Sequence, residues 1–533
     1  MSALPLAPIR VPELVLPTDI ETPRERAFAM GDVLPVAGLT LLLGGAAVAW
    51  GFTSNTILAY SDAQTHLAIA RRILDSRTPG AAQFGTSWLP VPHLLLMLFV
   101  YIGPLWQTGL AGSLVGLGCL TVTTVSVFCS TLLLTGRRSM SWLAVAVLLT
   151  NPNFMYVHTT ALTEPVLIAS MSASTYYLVK WSKTRRWPDM IAAGALAALA
   201  VGSRYEGWAF AAASAAVVVW VSYFASGDRL QAEGLALGYV APPVYAMGMW
   251  IFYNWLIFGD PLSFARGQYS AAASTAATTG ATVKGHLALS FMTYGWDCMD
   301  VIGLPILLSA ALGLLAHAWR TRLSASGMAV YVVAALFCFD TLLLFVGQIP
   351  MITPRSTPPG FFNLRYVLLL LPGIAILAAC LGDALEQVIR PGYVLFIGGL
   401  MLASQALWLV PDWPHSVTVL EEGYVDVRTS PERGQVAAYL REHYEGGGIL
   451  IDERASDWAT LAGIPEREYI ATYSGPLFRQ ALSRPADYVQ WVVADLTPSP
   501  DQVATVLLPS PLFQERYQLV ATYGGFNVFE RRR

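Results

Sequence analysis

The sequence predicts a polytopic α-helical membrane protein with a small extracytoplasmic α/β domain at its C-terminus. Three observations carry this. Of 533 residues, 55% are hydrophobic and 13% charged, against about 25% charged in an ordinary soluble chain. Long apolar runs with few charges recur from 33 to 410. After 412 those runs shorten and charge rises. The net charge of -3 is too small to point to a nucleic-acid partner. The five cysteines have no C-x-x-C spacing, so the sequence indicates neither a zinc site nor a disulfide framework.

Residues 1–32 are Pro-rich, carry Arg10, Arg24 and Arg26, and read as a cytoplasmic tail. The run 33–52 holds no charge and at about 1.5 Å per residue can cross a core of about 30 Å. A first outer loop follows at 53–108. Within it 88–103 is apolar, short and rich in proline at its start. If that segment spanned, Arg137-Arg138 and the cluster Lys180, Lys183, Arg185 and Arg186 would fall outside, against the positive-inside rule. It therefore reads as a juxtamembrane or re-entrant helix. Arg71, Arg72 and Arg77 oppose the rule only in this loop.

The remaining helices alternate at about 110–135, 140–156, 165–181, 189–203, 208–225, 234–257, 300–318, 327–347, 366–382 and 392–410. The count is eleven, with the N-terminus inside and the C-terminus outside. A polar outer loop is expected at 259–298, with an Ala/Ser/Thr tract at 271–282, and another outer loop at 349–365. In the domain at 412–533, Ser430-Pro431-Glu432 and Ser499-Pro500-Asp501 start helices. Buried strands are expected at 448–452 and 488–493, and a hairpin at 517–529 around Gly524-Gly525.

Charged groups gather at helix ends on the outer face: Asp62, His66, Glu164, Arg204, Glu206 and Arg365. Any one of them fits the bland reading that helix ends are where charges belong. Together they offer carboxylates that can act as bases and arginines that can neutralise phosphate. His66 lies four residues after Asp62, so the two share a helix face, either as a hydrogen-bonded pair or, in the sharper reading, as ligands of a divalent metal. Asp340 lies well inside a membrane helix, where an acid is functional by default or else makes a packing hydrogen bond.

The order of these features resembles the GT-C class of glycosyltransferases that use polyprenyl-phosphate sugars, with protein O-mannosyltransferases and lipid A aminoarabinose transferase nearest in pattern. The resemblance rests on Asp62 just after the first helix, on Trp88-Leu89-Pro90-Val91-Pro92-His93, and on Arg137-Arg138. It continues through Asn151-Pro152-Asn153, Thr163-Glu164-Pro165, Ser203-Arg204-Tyr205-Glu206-Gly207-Trp208 and Asn363-Leu364-Arg365-Tyr366. Three positions depart from it: Glu164 stands where Asp is common, Leu89 where some members carry Lys, and Arg204 where Thr-Lys is common.

The resemblance implies a multi-pass protein of the cytoplasmic membrane that moves a sugar from a polyprenyl-phosphate donor to an acceptor hydroxyl on a lipid, glycan or protein. Transfer would be inverting and extracytoplasmic. It implies Asp62 as general base and Glu164 as the second catalytic acid. Arg365, Arg204, Glu206, His93, His66, Tyr366 and Arg71 would contact substrate. No cofactor is implied with certainty, and a divalent metal stands as an open alternative. The rival classes are a transporter or lipid flippase, which needs a polar path between faces, and a scaffold that presents the C-terminal domain. Convergence of Asp62, Glu164 and Arg365 on one outward cavity would separate transfer from transport.

Overall fold

Apolar composition alone suffices for helix α1 (Met30–Thr53), which opens the described chain. The computed structural model describes residues 30–226, 229–267, 270, 283–321, 324–357, 359–409, 417–429, 431–452, 461–497 and 500–532. The tail 1–29, the tract 271–282 and the cap residues Ser430 and Ser499 lie outside them.

The first outer loop is mostly helical. It holds α2 (Ser61–Asp75), α3 (Pro90–Val100) and the short α4 (Gly103–Gln107). α2 is buried along most of its length, through apolar residues such as Ala63, Leu67 and Ala70 and through the polar Gln64, His66 and Arg72. α3 starts on Pro90, where a missing N–H costs nothing, and its 11 residues are too few to span.

The bundle continues with α5 (Leu110–Thr135), α6 (Arg138–Leu149) and α7 (Pro152–Val157). The expected single helix at 140–156 is broken at Asn151-Pro152, because Pro152 cannot continue the ladder and the Asn151 side chain accepts from the Phe154 N–H at 2.9 Å. Next come α8 (Glu164–Thr184), α9 (Trp187–Val201), α10 (Glu206–Ser226), α11 (Arg229–Phe258) and the one-turn α12 (Ser263–Arg266).

Sequence reading placed a loop at 259–298, but its second part is helix α13 (Leu287–Val301), followed by α14 (Leu304–Thr321). The polar residues that suggested a loop face inward: Tyr294 and Asp297 are buried. The Tyr294 hydroxyl donates to Asp340 at 2.6 Å, so Asp340 ties α15 (Ala325–Val346) to α13 by a packing hydrogen bond. A 3₁₀ turn at Leu364–Leu370 runs into α16 (Leu371–Leu385), and α17 (Pro391–Leu409) completes the bundle.

The chain is an integral multi-pass membrane protein. Among the described residues, eight helical segments are long and apolar enough to cross a membrane, against the eleven counted from sequence. The other three are the broken α6–α7 unit, the 15-residue α9 and the 21-residue α8. α8 is buried along most of its length, and Ser170 and Ser174 donate to carbonyls within the bundle, Ser174 to that of Ala193 at 2.9 Å. Protein rather than lipid surrounds it, so its sequence need not be strongly apolar.

After the bundle, α18 (Thr418–Thr429) and α19 (Pro431–His443) lead into a five-stranded sheet. Its strands are β1 (Ile449–Leu450), β2 (Tyr469–Ile470), β3 (Trp491–Asp495), β4 (Tyr517–Tyr523) and β5 (Phe526–Arg531), in the order β2-β1-β3-β5-β4. β1 runs parallel to β2 and β3, while β5 is antiparallel to β3 and β4. The expected hairpin turns on Gly524, whose φ of 56° suits a two-residue loop. Asp501 caps the helix at Gln502–Leu507, accepting from the Ala504 N–H at 2.6 Å, at the helix start expected from Ser499-Pro500-Asp501.

This domain packs on the first outer loop, so both lie on one side of the bundle. Arg77 donates to the Arg467 carbonyl at 2.9 Å, Arg467 meets Asp75 at 3.1 Å, and Gln107 donates to the Gly463 carbonyl at 3.4 Å. Arg72 is buried, donates to the Gln83 carbonyl at 3.0 Å and lies 4.2 Å from the Tyr473 ring. Arg72 and Arg77, two of the three arginines that oppose the positive-inside rule in the expected topology, are thus held on backbone and aromatic partners at a domain interface.

Candidate active site

Four chain breaks meet at one end of the bundle: the start of α2, the start of α8, the turn between α9 and α10, and the 3₁₀ turn before α16. Each presents a charged side chain. Asp62 stands in the first turn of α2. Its helix is capped at Tyr60 without a side-chain bond, and the Asp62 carboxylate reaches Arg365 instead of its own backbone. Glu164 is the first residue of α8. Arg204 and Glu206 sit in a turn tight enough that a Cβ on Gly207 would lie 2.2 Å from the Ala200 carbonyl oxygen, so only glycine fits there. Arg365 is the second residue of the 3₁₀ turn.

These groups form one network. Arg365 donates Nε to Glu164 Oε1 at 2.7 Å, Nη2 to Asp62 Oδ2 and Nη1 to the Tyr60 hydroxyl. Arg204 donates Nη1 to the same Glu164 oxygen at 2.8 Å and Nη2 to Glu206 at 2.7 Å. The Tyr366 ring lies under both guanidinium groups, 4.6 Å from that of Arg204 and 5.3 Å from that of Arg365. The Tyr60 ring lies 4.5 Å from that of Arg365. Burial grades across the network: the Glu164 side chain is 0% exposed, Arg365 4%, Arg204 13% and Asp62 33%. Asp62 is therefore the carboxylate open to an incoming molecule, whereas Glu164 is the inner hub for both arginines. Removing one partner from such a buried pair typically costs about 3–5 kcal/mol.

His66 does not pair with Asp62. Its Nδ1 meets His93 Nε2 at 3.1 Å, and His93 Nδ1 meets the Leu89 carbonyl at 3.1 Å. A carbonyl only accepts, so His93 carries its proton on Nδ1 and His66 donates from Nδ1. Burial holds both imidazoles below their ordinary range, His66 down to about 3, and this neutral pair fastens α2 to α3. Trp88 packs edge-on to His66 with centroids 4.8 Å apart. Among the described residues no group of three His, Cys, Asp or Glu side chains is arranged to hold a metal ion.

Arg71 is not brought to the network. It meets Asp75 at 3.1 Å and the Val100 carbonyl at 2.6 Å, tying α2 to the far end of α3. Sequence reasoning assigned no role to Tyr60 and missed Glu422 altogether. Glu422 comes from α18, beyond the last helix of the bundle. It is buried, accepts from the Asn363 and Leu364 N–H groups at 2.5 and 3.1 Å, and lies 3.7 Å from Arg365. Burial pushes its carboxyl above the usual range, against the pull of Arg365. One acid in a short amphipathic helix gave no signal of this role.

The chain shares its fold with ArnT from Cupriavidus metallidurans. The crystal structure of that protein bound to undecaprenyl phosphate matches with a TM-score of 0.55 at 13% sequence identity, covering 94% of this chain and 98% of the other. The apo structure matches with a TM-score of 0.56 at 15% identity and the same coverage. ArnT is the lipid A aminoarabinose transferase, a GT-C glycosyltransferase, so the GT-C-like architecture expected from sequence is the observed one. No family model matches the chain, and no curated protein matches it by sequence.

Proposed function

We propose that this chain is a membrane glycosyltransferase that moves a sugar from a polyprenyl-phosphate donor to an acceptor hydroxyl, with inversion, on the extracytoplasmic side of the cytoplasmic membrane. One observation carries the reading: a half-open carboxylate, Asp62, is held against a buried arginine, Arg365, at the meeting point of four chain breaks. Aspartate supplies a base and arginine an anion site, the two things this transfer requires.

The donor phosphate would take the Arg365 edge that Asp62 occupies. That exchange replaces one anion by another on the same guanidinium and turns the Asp62 carboxylate toward the acceptor. The acceptor oxygen would then attack the anomeric carbon while its proton passes to Asp62. The bond from that carbon to the phosphate oxygen breaks, and polyprenyl phosphate departs with the electron pair. Arg365 would neutralise the leaving phosphate, so no strong acid is needed. Glu164 would set the spacing of the two arginines, and Glu206 and Tyr366 would hold Arg204 beside them. The acceptor would be a lipid, glycan or protein hydroxyl. A flippase or transporter is disfavoured because the charged groups converge at one end of the bundle. The mid-membrane acid, Asp340, is engaged by Tyr294.

The test is incubation of purified protein with a panel of labelled polyprenyl-phosphate sugars and candidate acceptors, reading released polyprenyl phosphate. Release from one donor that depends on an acceptor supports the reading. Movement of lipid between leaflets without cleavage of any donor overturns it.

A further inference from the structure

Both oxygens of Glu422 accept from backbone N–H groups, and Arg365 Nη1 lies 3.7 Å from one of them. The N–H groups are those of Asn363 and Leu364, two consecutive donors at the start of the 3₁₀ turn. Such donors have no partner within their own helix, and a carboxylate is favoured there. Asn363 is in the left-handed region, with φ of 59°, and its side-chain amide donates to the Pro350 carbonyl at 2.8 Å. The residue after Leu364 is Arg365. Glu422 thus grips the backbone one step before the guanidinium-bearing residue, from 58 positions away.

It also reaches the other end of that side chain. The Glu422 carboxylate faces Arg365 Nη1, the nitrogen that donates to the Tyr60 hydroxyl. The direct Arg365–Glu422 separation, 3.7 Å, is too long for a hydrogen bond. Glu422 therefore sets the root of the Arg365 side chain through the backbone and faces one tip electrostatically. The tip left for exchange is Nη2, which faces Asp62.

α18 is itself fastened where it crosses the site. The Val419 N–H donates to Asn153 Oδ1 at 2.9 Å. Gly423 packs in van der Waals contact with the chain before α2, at Ala59.

We propose that Glu422 is a positioning residue for the Arg365 guanidinium, so that the segment 417–429, beyond the last membrane helix, completes the donor-phosphate site. This rests on the reading of Arg365 as the phosphate contact. The segment joins the C-terminal domain to the bundle, so displacement of that domain would loosen the arginine that holds the donor.

The experiment uses full-length protein in nanodiscs and two measurements. The first is binding of undecaprenyl phosphate to the wild type, Glu422→Gln, Arg365→Ala and the double variant. Gln keeps one acceptor oxygen but turns a donor toward the second N–H, so Glu422→Gln is expected to weaken binding about tenfold. In the Arg365→Ala background the same change is expected to have an effect under about twofold, since no guanidinium remains to be positioned. The second measurement, amide hydrogen exchange over 359–366 without ligand, is expected to rise in Glu422→Gln. Equal losses in both backgrounds, or unchanged exchange, overturn the proposal. If Arg365→Ala binds undecaprenyl phosphate as well as the wild type while exchange rises as expected, the donor reading fails and the hold of Glu422 on this turn stands.

Discussion

Asp62→Asn separates the two duties assigned to Asp62, and the structure gives each a size. As a base, Asp62 must accept a proton. Asn keeps the shape and one acceptor oxygen but cannot do so at neutral pH. Loss of a general base costs about 10²–10⁴-fold in rate. As a partner of Arg365, the Asp62 carboxylate competes with the donor phosphate for Nη2. The Asp62 side chain is one-third exposed, which limits the pair to about 1 kcal/mol. Removing the competing charge is therefore expected to tighten donor binding by up to about fivefold.

The variant should fold, because Arg365 keeps Glu164 and Tyr60 and because Asp62 does not cap its helix. The signature is opposed: donor affinity unchanged or higher, transfer 10²–10⁴-fold slower. Single-turnover transfer with donor pre-bound isolates the chemical step, and a separate donor titration reads the affinity. Near-normal transfer in Asp62→Asn would remove Asp62 as the base, and weaker donor binding would refute the competition for Arg365.

Arg365→Ala should weaken donor use by about 1.5–3 kcal/mol and by more than Arg204→Ala, since Arg204 is turned toward Glu206 and Glu164. Arg365→Lys should recover only part of the loss because a fork becomes a point charge, and equal effects of Ala and Lys in the donor titration would contradict this. Burial holds His66 near 3 in the folded chain, against about 6.5 unfolded, so on acidification the unfolded state takes up the proton first. Stability is then expected to fall from about pH 6.5 toward 3, by up to about 1.4 kcal/mol per pH unit from this group, and His66→Gln should flatten that limb of a Tm-against-pH curve. Single cysteines placed at 105–108 and at 440–445 should both label from outside the cell, as expected of segments on one side of the bundle. Labelling from opposite faces would refute the topology.

Much of the membrane architecture is local and was legible in the sequence. Apolar length marks a spanning helix wherever lipid is the surroundings, as at Leu110–Thr135 and Ala325–Val346. It fails where protein takes the place of lipid. α13 carries Tyr294 and Asp297 because they face other helices, so it read as a loop. Proline at Pro90 marked a helix start, since its missing N–H acts on its own segment, whereas Pro152 was read as lying inside one helix at 140–156. The hairpin at Gly524-Gly525 was legible for a similar reason, as was β1 within the expected strand at 448–452, whereas β2, two residues long, exists only through pairing with β1.

The site divides in the same way. That Asp62, Glu164, Arg204 and Arg365 stand at chain breaks on one side follows from hydropathy and charge order along the sequence. Their division of labour does not. Glu164 became the buried hub and Asp62 the accessible acid because of how deep each lies. Arg71 was drawn away to Asp75 and the Val100 carbonyl. Glu422, 58 residues from Leu364, entered the site through the packing of α18. Periodicity and composition report what a residue does to its own segment, while a partner 58 to 303 positions away leaves no trace in them. The sequence by itself determined a polytopic helical chain with acids and arginines on one face, and only the tertiary structure decided which acid meets which arginine, because burial and pairing are properties of neighbours in space.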